Sequence, residues 1–563
     1  MNTEWTSTVS VTDPLPEYPR PQLVRESWMS LNGLWEYAIT AHKAMPERFD
    51  GHITVPFSPE TALSGVQRTL ESGQYLWYRR SLTLPESFSG RRVILHFGAV
   101  DQVADVWVNG IHLLTHVGGY LPFEAEITRT LGEGKVTIAV RVSDETDNSF
   151  HTRGKQKTKR GGIWYTPQSG IWQTVWLESA PQSYVRGVRI TPHFDDAEVD
   201  ITADVVGTER AFAVFGGERY ELPALIPVPD FEAWSPENPK LYPFTVECGE
   251  DRVESYFAMR KFSVEKDETG VPRLFLNGRP YFHNGVLDQG YWPDGLYTAP
   301  TDEALCRDIM LAKESGFNML RKHIKVEPLR WYYHCDRLGM LVWQDMPCGG
   351  GRYAPAVVSA PLITGLHLSD SRYARFGRDD EQGRREFADE LCDMVNHLYN
   401  CPCIAMWVIF NEGWGQFDAA KMTDAVRFLD NTRTIDHASG WHDQGAGDVK
   451  SEHVYFRPYK FRRDRKSRAV VLSEFGGYAH AENGHLWSDK SFGYKRFETA
   501  EALAAALEEL FQRQIRPAKE KGLAAAIYTQ MSDVEDEING LMTYDRSVVK
   551  IAPEKMREIT KME

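Results

Sequence analysis

The stretch Met406-Trp407-Val408-Ile409-Phe410-Asn411-Glu412-Gly413-Trp414 sets an amide and a carboxylate side by side at the end of an apolar run. A glutamate at the mouth of a buried parallel strand sits at low dielectric, where acid/base chemistry is possible. Asn411 beside it can grip a hydroxyl, and the indole of Trp414 can stack on a sugar face. A second apolar run, Ala469-Val470-Val471-Leu472-Ser473, ends in Glu474 and is followed by Phe475-Gly476-Gly477. Two strand-end glutamates in one chain point to a carboxylate pair across a scissile bond.

Strands and helices must hold that pair. From about residue 263, apolar runs alternate with helical stretches. The runs are Tyr281–Val286, Phe317–Arg321, Met340–Gln344, Ile404–Glu412, Thr434–Ser439, Glu452–Tyr455, Ala469–Glu474 and Ala524–Gln530. Eight strands with helices between most of them is the count of a (β/α)8 TIM barrel. Glu412 then ends strand four and Glu474 ends strand seven, so both face one mouth. Residues 348–378 form a long excursion after strand three and are expected to roof that mouth.

Upstream the pattern is all-β. Residues 1–181 carry short alternating runs such as Ala104-Asp105-Val106-Trp107-Val108, broken by turn signals such as Asn109-Gly110, and read as a jelly roll. Residues 182–262 alternate similarly and read as a small immunoglobulin-like β-sandwich. Residues 263–563 complete the chain as the barrel.

Composition narrows the function. A formal charge of −15 over 563 residues disfavours nucleic acid as a partner. The run Arg153-Gly154-Lys155-Gln156-Lys157-Thr158-Lys159-Arg160 is the local exception, read as a solvated loop, with reach to an anionic or polyhydroxylated ligand as the alternative. Seven scattered cysteines do not make a disulfide framework, and Cys401-Pro402-Cys403 is too tight for a zinc knuckle. No metal or other cofactor is expected. No signal peptide or membrane span is evident, so the expected address is the cytoplasm, without a membrane partner. Homo-oligomerisation is left open.

Around the carboxylates, Arg321 at the end of strand two is the candidate cation and Tyr455 at the end of strand six the candidate hydrogen-bond donor to Glu474. His323 shares the face of Arg321 if the strand continues. Trp441 and His442 follow strand five, and Asp288, with His283 and Tyr291, follows strand one. Tyr528 and Asp533 lie at and after strand eight. All are candidates to hold sugar hydroxyls; Trp343, inside an apolar run, reads as core.

With these motifs in order, the chain resembles the family 2 glycoside hydrolases. The resemblance runs from Pro19-Arg20-Pro21-Gln22-Leu23 and Leu31-Asn32-Gly33-Leu34-Trp35, through Trp77-Tyr78-Arg79-Arg80, Val106–Gly110 and Gly170–Leu177, to Phe317–Arg321 and Trp407–Glu412. It implies that Glu412 is the acid/base, Glu474 the nucleophile and Asn411 the ligand of the sugar 2-hydroxyl. It implies a retaining exo-glycosidase acting on a small oligosaccharide or glycoside. Members acting on glucuronides carry an Asn-x-Lys pair after the last strand. This chain has Asn539-Gly540-Leu541 and, later, Lys550 instead. A neutral terminal sugar is therefore expected, a β-galactoside first, then a β-mannoside or arabinoside, with a β-glucuronide as a further alternative within the family. A binding protein on a catalytically dead barrel is the rival from another class.

Overall fold

The computed structural model describes residues 1–132 and 135–562. Its C-terminal half is a parallel barrel of eight strands: β1 (His283–Asp288), β2 (Met319–Lys322), β3 (Leu341–Asp345), β4 (Ile404–Val408), β5 (Thr434–Asp436), β6 (Val449–Val454), β7 (Ala469–Gly476) and β8 (Leu523–Thr529). They pair in the order β5-β4-β3-β2-β1-β8-β7-β6. β1, β3, β4, β5, β7 and β8 are buried along their whole length, as strands covered on both faces must be. Helices such as Asp302–Glu314, Leu329–Leu338 and Glu381–Leu398 pack outside.

Two features differ from the expected strand ends. β4 stops at Val408, four residues before Glu412. Asn411 still bridges Ser439 in parallel, and Glu412 then turns with φ of +49°. Such a left-handed conformation is uncommon for a residue with a Cβ. Glu474 lies inside β7 rather than at its end. Here Ser473 and Glu474 form a bulge: Glu452 pairs with Leu472 but His453 with Glu474, and on the other side Ala526 pairs with Leu472 but Tyr528 with Phe475. A bulge re-aims a side chain without ending the strand.

The N-terminal region is a two-sheet antiparallel sandwich. A four-stranded sheet (Trp28–Ser30, Val175–Ala180, Arg92–Phe97, Phe123–Glu126) faces a six-stranded one that runs from Gly51–Val55 to Ile111–Val117. Trp35, Tyr78, Leu95, Val106, Val140 and Leu177 fill the space between them. A seven-stranded sandwich follows, from Tyr184–His193 to Asp251–Phe257, around Val199, Ile201, Phe244, Val246 and Phe257. Arg25 ties the sandwiches together through Glu178 and a two-pronged contact with Asp251 at 2.9 and 2.8 Å. All seven cysteines are free thiols. Among the described residues no helix is long and apolar enough to cross a membrane.

The basic run is not a solvated loop along its whole length. Arg153, Lys155 and Gln156 are buried, and only Thr158–Arg160 are exposed. The backbone N–H groups of Arg153 and Gly154 donate to Cys348 O at 2.8 and 3.0 Å. This segment of the N-terminal sandwich is thus pinned to the excursion that follows β3.

Candidate active site

Arg321 organises the mouth. It is fully buried on β2, and its Nη1 donates to Glu474 Oε1 at 3.0 Å. Nε and Nη2 grip the two oxygens of Asp345 at 3.0 Å each, and Nη2 also donates to Asn411 Oδ1 at 2.9 Å. His323 follows on the same face, its Nδ1 2.8 Å from the same Asp345. Its imidazole is held far below the usual value by burial, then by the positive charges of Lys155 and Arg321.

Glu474 receives a second donor, the Tyr455 hydroxyl, on its other oxygen. Tyr455 stacks on Tyr494 with ring centroids 3.8 Å apart. Burial alone would push the Glu474 carboxyl up, but His453 and Arg321 hold it below the usual carboxylate range. Glu412 goes the other way. Burial and then the charge of Glu474 push it up, against a hydrogen bond from His453. Its side chain keeps 13% of its surface exposed. Atoms of Glu412, His453 and Glu474 all lie within 4.8 Å of one another.

That trio has the composition of a metal site. Yet both Glu474 oxygens already accept hydrogen bonds from Arg321 and Tyr455, and His453 Nδ1 is engaged with Glu412. The guanidinium does there what a cation would do, so the donor set suits an acid–carboxylate pair better than an ion.

Two polar groups in this cluster have no protein partner. Asn411 Nδ2 and Trp441 Nε1 are buried N–H donors without an acceptor among the described residues. An unpaired buried donor is costly, so these two invite ligand oxygens. Trp441 packs on His453 at 5.4 Å and lines a cavity of about 460 Å³ with Gly440 and Glu452. Gly440 has φ of +85°, and a Cβ there would meet the His453 ring at 2.6 Å.

Other expected residues lie elsewhere. Asp288 is committed to Lys322 Nζ at 2.6 Å. The His442 ring bonds Leu368 N and Val357 O, holding the excursion instead of facing the carboxylates. Tyr528 points its hydroxyl at Tyr478 O and packs on Phe475. His283 Nδ1 accepts from Trp343 inside the barrel core, Tyr291 bonds Tyr297, and Asp533 is paired with Lys550 at 2.7 Å. Trp414 is buried beneath Trp164 of the N-terminal sandwich, centroids 5.0 Å apart. Sequence reasoning passed over His453, which sits two residues before Tyr455 and therefore on its face of β6. It also passed over Asp345, whose role depends on barrel closure. Lys155 was legible only as part of a basic run with an anionic or polyhydroxylated ligand as its alternative reading, and its inward position depends on the docking of another domain.

Comparisons with known proteins agree with this architecture. Residues 66–181 match the family model for the sugar binding domain of glycosyl hydrolases family 2, and residues 272–486 match its TIM barrel domain. A β-galactosidase of Thermoanaerobacter pseudethanolicus is 23% identical over 409 residues, 65% of this chain and 50% of that protein. A putative β-glucuronidase of Formosa agariphila is 23% identical over 450 residues, 72% of this chain and 50% of that protein. The chain thus spans about half the length of these curated relatives. Among solved structures, a Ruminococcus gnavus β-glucuronidase superposes with a TM-score of 0.75 at 16% identity, covering 98% of this chain and 100% of that one. A β-galacturonidase from Eisenbergiella tayi bound to galacturonate gives 0.72 at 18%, covering 96% and 99%. At such identities the likeness is one of fold.

Proposed function

Because this chain belongs to glycoside hydrolase family 2, we propose that it is a retaining exo-β-glycosidase working by double displacement. The observation that carries the reading is the carboxylate pair, close enough for one to attack while the other protonates, with environments that push them apart in acidity.

Glu474, kept ionised by Arg321 and Tyr455, attacks the anomeric carbon. Glu412, kept protonated, gives its proton to the leaving oxygen as the glycosidic bond breaks. Glu412, now a carboxylate, takes a proton from water, and that water displaces Glu474 from the anomeric carbon. Two inversions retain configuration. Asn411 is suited to the 2-hydroxyl, because Arg321 fixes its oxygen and leaves its N–H groups free. His323 and Trp441 are suited to other hydroxyls of the same ring. The names of the relatives divide between β-galactosidase and β-glucuronidase, so both neutral and acidic terminal sugars are within reach of the reading.

A 2-fluoro glycoside of the accepted sugar should label Glu474, read by peptide mass spectrometry. Label on Glu412 would reverse the roles. Proton NMR of the first-formed product should show the starting anomer; the opposite anomer would end the retaining mechanism.

A further inference from the structure

The N-terminal sandwich sends the segment 151–168 over the barrel mouth, and both ends of it are fixed. Thr152 Oγ1 donates to Glu390 at 2.6 Å, and Gly154 N to Cys348 O. Thr166 N donates to Glu535 at 2.9 Å, and the Tyr165 hydroxyl bonds Glu537 after β8. Between these anchors Lys155 is carried inward, the residue 5% exposed. Its ammonium lies 5.3 Å from the centre of the Tyr165 ring and 5.8 Å from that of Trp414. Trp414 in turn meets His323 edge-on at 6.4 Å. The positive charge is felt at both Glu412 and His323.

Among the described residues no carboxylate hydrogen-bonds or ion-pairs with Lys155. The cations that follow on β2 and just after it are engaged. Arg321 holds Asp345 and Glu474, Lys322 holds Asp288 and Glu327, and Lys325 holds Glu327 and two carbonyls. Lys550, the cation the sequence offers after β8, is sealed against Asp533 and Ile538 O. An ammonium on a mostly buried side chain, set against aromatic rings and free of any carboxylate, is placed to take the counter-charge of a ligand.

We propose that Lys155 receives the carboxylate of the substrate, so that the terminal sugar is a uronic acid recognised by the N-terminal sandwich and not by the loop after β8. The proposal rests on the glycosidase reading and deepens it. A carboxylate against an ammonium makes a charge-assisted hydrogen bond that a hydroxymethyl group cannot match, whereas a neutral sugar would leave the lysine unpaired in the closed complex. The absent Asn-x-Lys pair then marks a different receptor, not a neutral substrate.

The test compares nitrophenyl β-glucuronide and β-galacturonide with the corresponding β-glucoside and β-galactoside. The native protein should favour a uronide in kcat/KM. Lys155→Gln should lower the uronide-to-neutral ratio by about 10–10²-fold, the range for losing one hydrogen bond to a charged group, and Lys155→Arg should restore part of it. Native preference for a neutral glycoside, or equal losses on both classes in Lys155→Gln, would overturn the assignment. A second arm does not need turnover. The Glu474→Gln protein, titrated calorimetrically with glucuronate, galacturonate, glucose and galactose, should bind a uronate more tightly, and adding Lys155→Gln should abolish that difference. If no glycoside is cleaved but this binding difference appears and disappears with Lys155, the glycosidase reading has failed and the receptor stands. If neutral glycosides are cleaved well and uronate binding is absent, the receptor has failed and the glycosidase stands.

Discussion

His453 stands between the two carboxylates: its Nδ1 is 2.9 Å from Glu412 Oε1 and its Nε2 is 3.6 Å from Glu474 Oε1. One imidazole on β6 therefore couples a residue after β4 to a residue within β7. It lowers the pKa of both, Glu412 through a hydrogen bond and Glu474 electrostatically. Removing it should raise both. In His453→Ala, the acid limb of the kcat/KM profile, set by ionisation of Glu474, should move to higher pH. The alkaline limb, set by deprotonation of Glu412, should move the same way. A pH–rate series on one aryl glycoside reads this directly. A loss of rate with both limbs unmoved would assign His453 a purely structural part.

Glu412→Gln removes the proton donor. Substrates with poor leaving groups should lose ~10²-fold or more, within the range of general acid catalysis. Activated aryl glycosides should lose less in the first step. Added azide should partly restore their turnover, because a small anion attacks the glycosyl-enzyme without base assistance. Equal losses across leaving groups, with azide inert, would remove Glu412 from the acid/base role.

Arg321→Met should both inactivate and destabilise. The side chain is fully buried and compensates two carboxylates. Removing one partner of such a cluster strands the other charges, at a cost of roughly 3–5 kcal/mol. Denaturant unfolding followed by tryptophan fluorescence checks the magnitude. A variant of native stability would show that Asp345 and Glu474 protonate or find other partners at little cost.

Glu178 gives a pH-dependent prediction far from the mouth. Burial opposes its charge, but Arg20, His96 and Arg25 hold its carboxyl well below the ordinary value of 4.5. A carboxylate depressed by folding stabilises fully above its unfolded value, and that contribution is lost as pH falls through the folded value. The melting temperature of Glu178→Gln should thus lie below that of the native protein at pH 7. The gap should hold down to about pH 4.5, the ordinary value just given, and narrow below it. A gap that widens in acid would contradict the linkage.

Periodicity and local chemistry made much of this protein legible before folding. Eight apolar runs spaced by helical stretches specify the barrel, because parallel strands covered on both faces must be apolar throughout. Asn411-Glu412 and Glu474 stood out because charged residues at the ends of such runs have no reason to be there except chemistry or pairing. Arg321 and Tyr455 were found from strand position alone, and the structure sets both against Glu474. The tertiary structure decided what periodicity cannot encode. The bulge at Ser473–Glu474 and the left-handed turn at Glu412 aim the carboxylates, and both are set by pairing with strands distant in sequence. Whether a rim residue faces the pocket or a neighbour depends on long-range partners: Asp288 went to Lys322, and His442 to the excursion. Lys155 shows this most plainly. Within its own run it is one of five lysines and arginines in a basic loop, and only docking of the N-terminal sandwich against the excursion after β3 carries it inward to Trp414 at the barrel mouth. Burial and counter-charge are properties of the assembled surface, and no local stretch of sequence contains them.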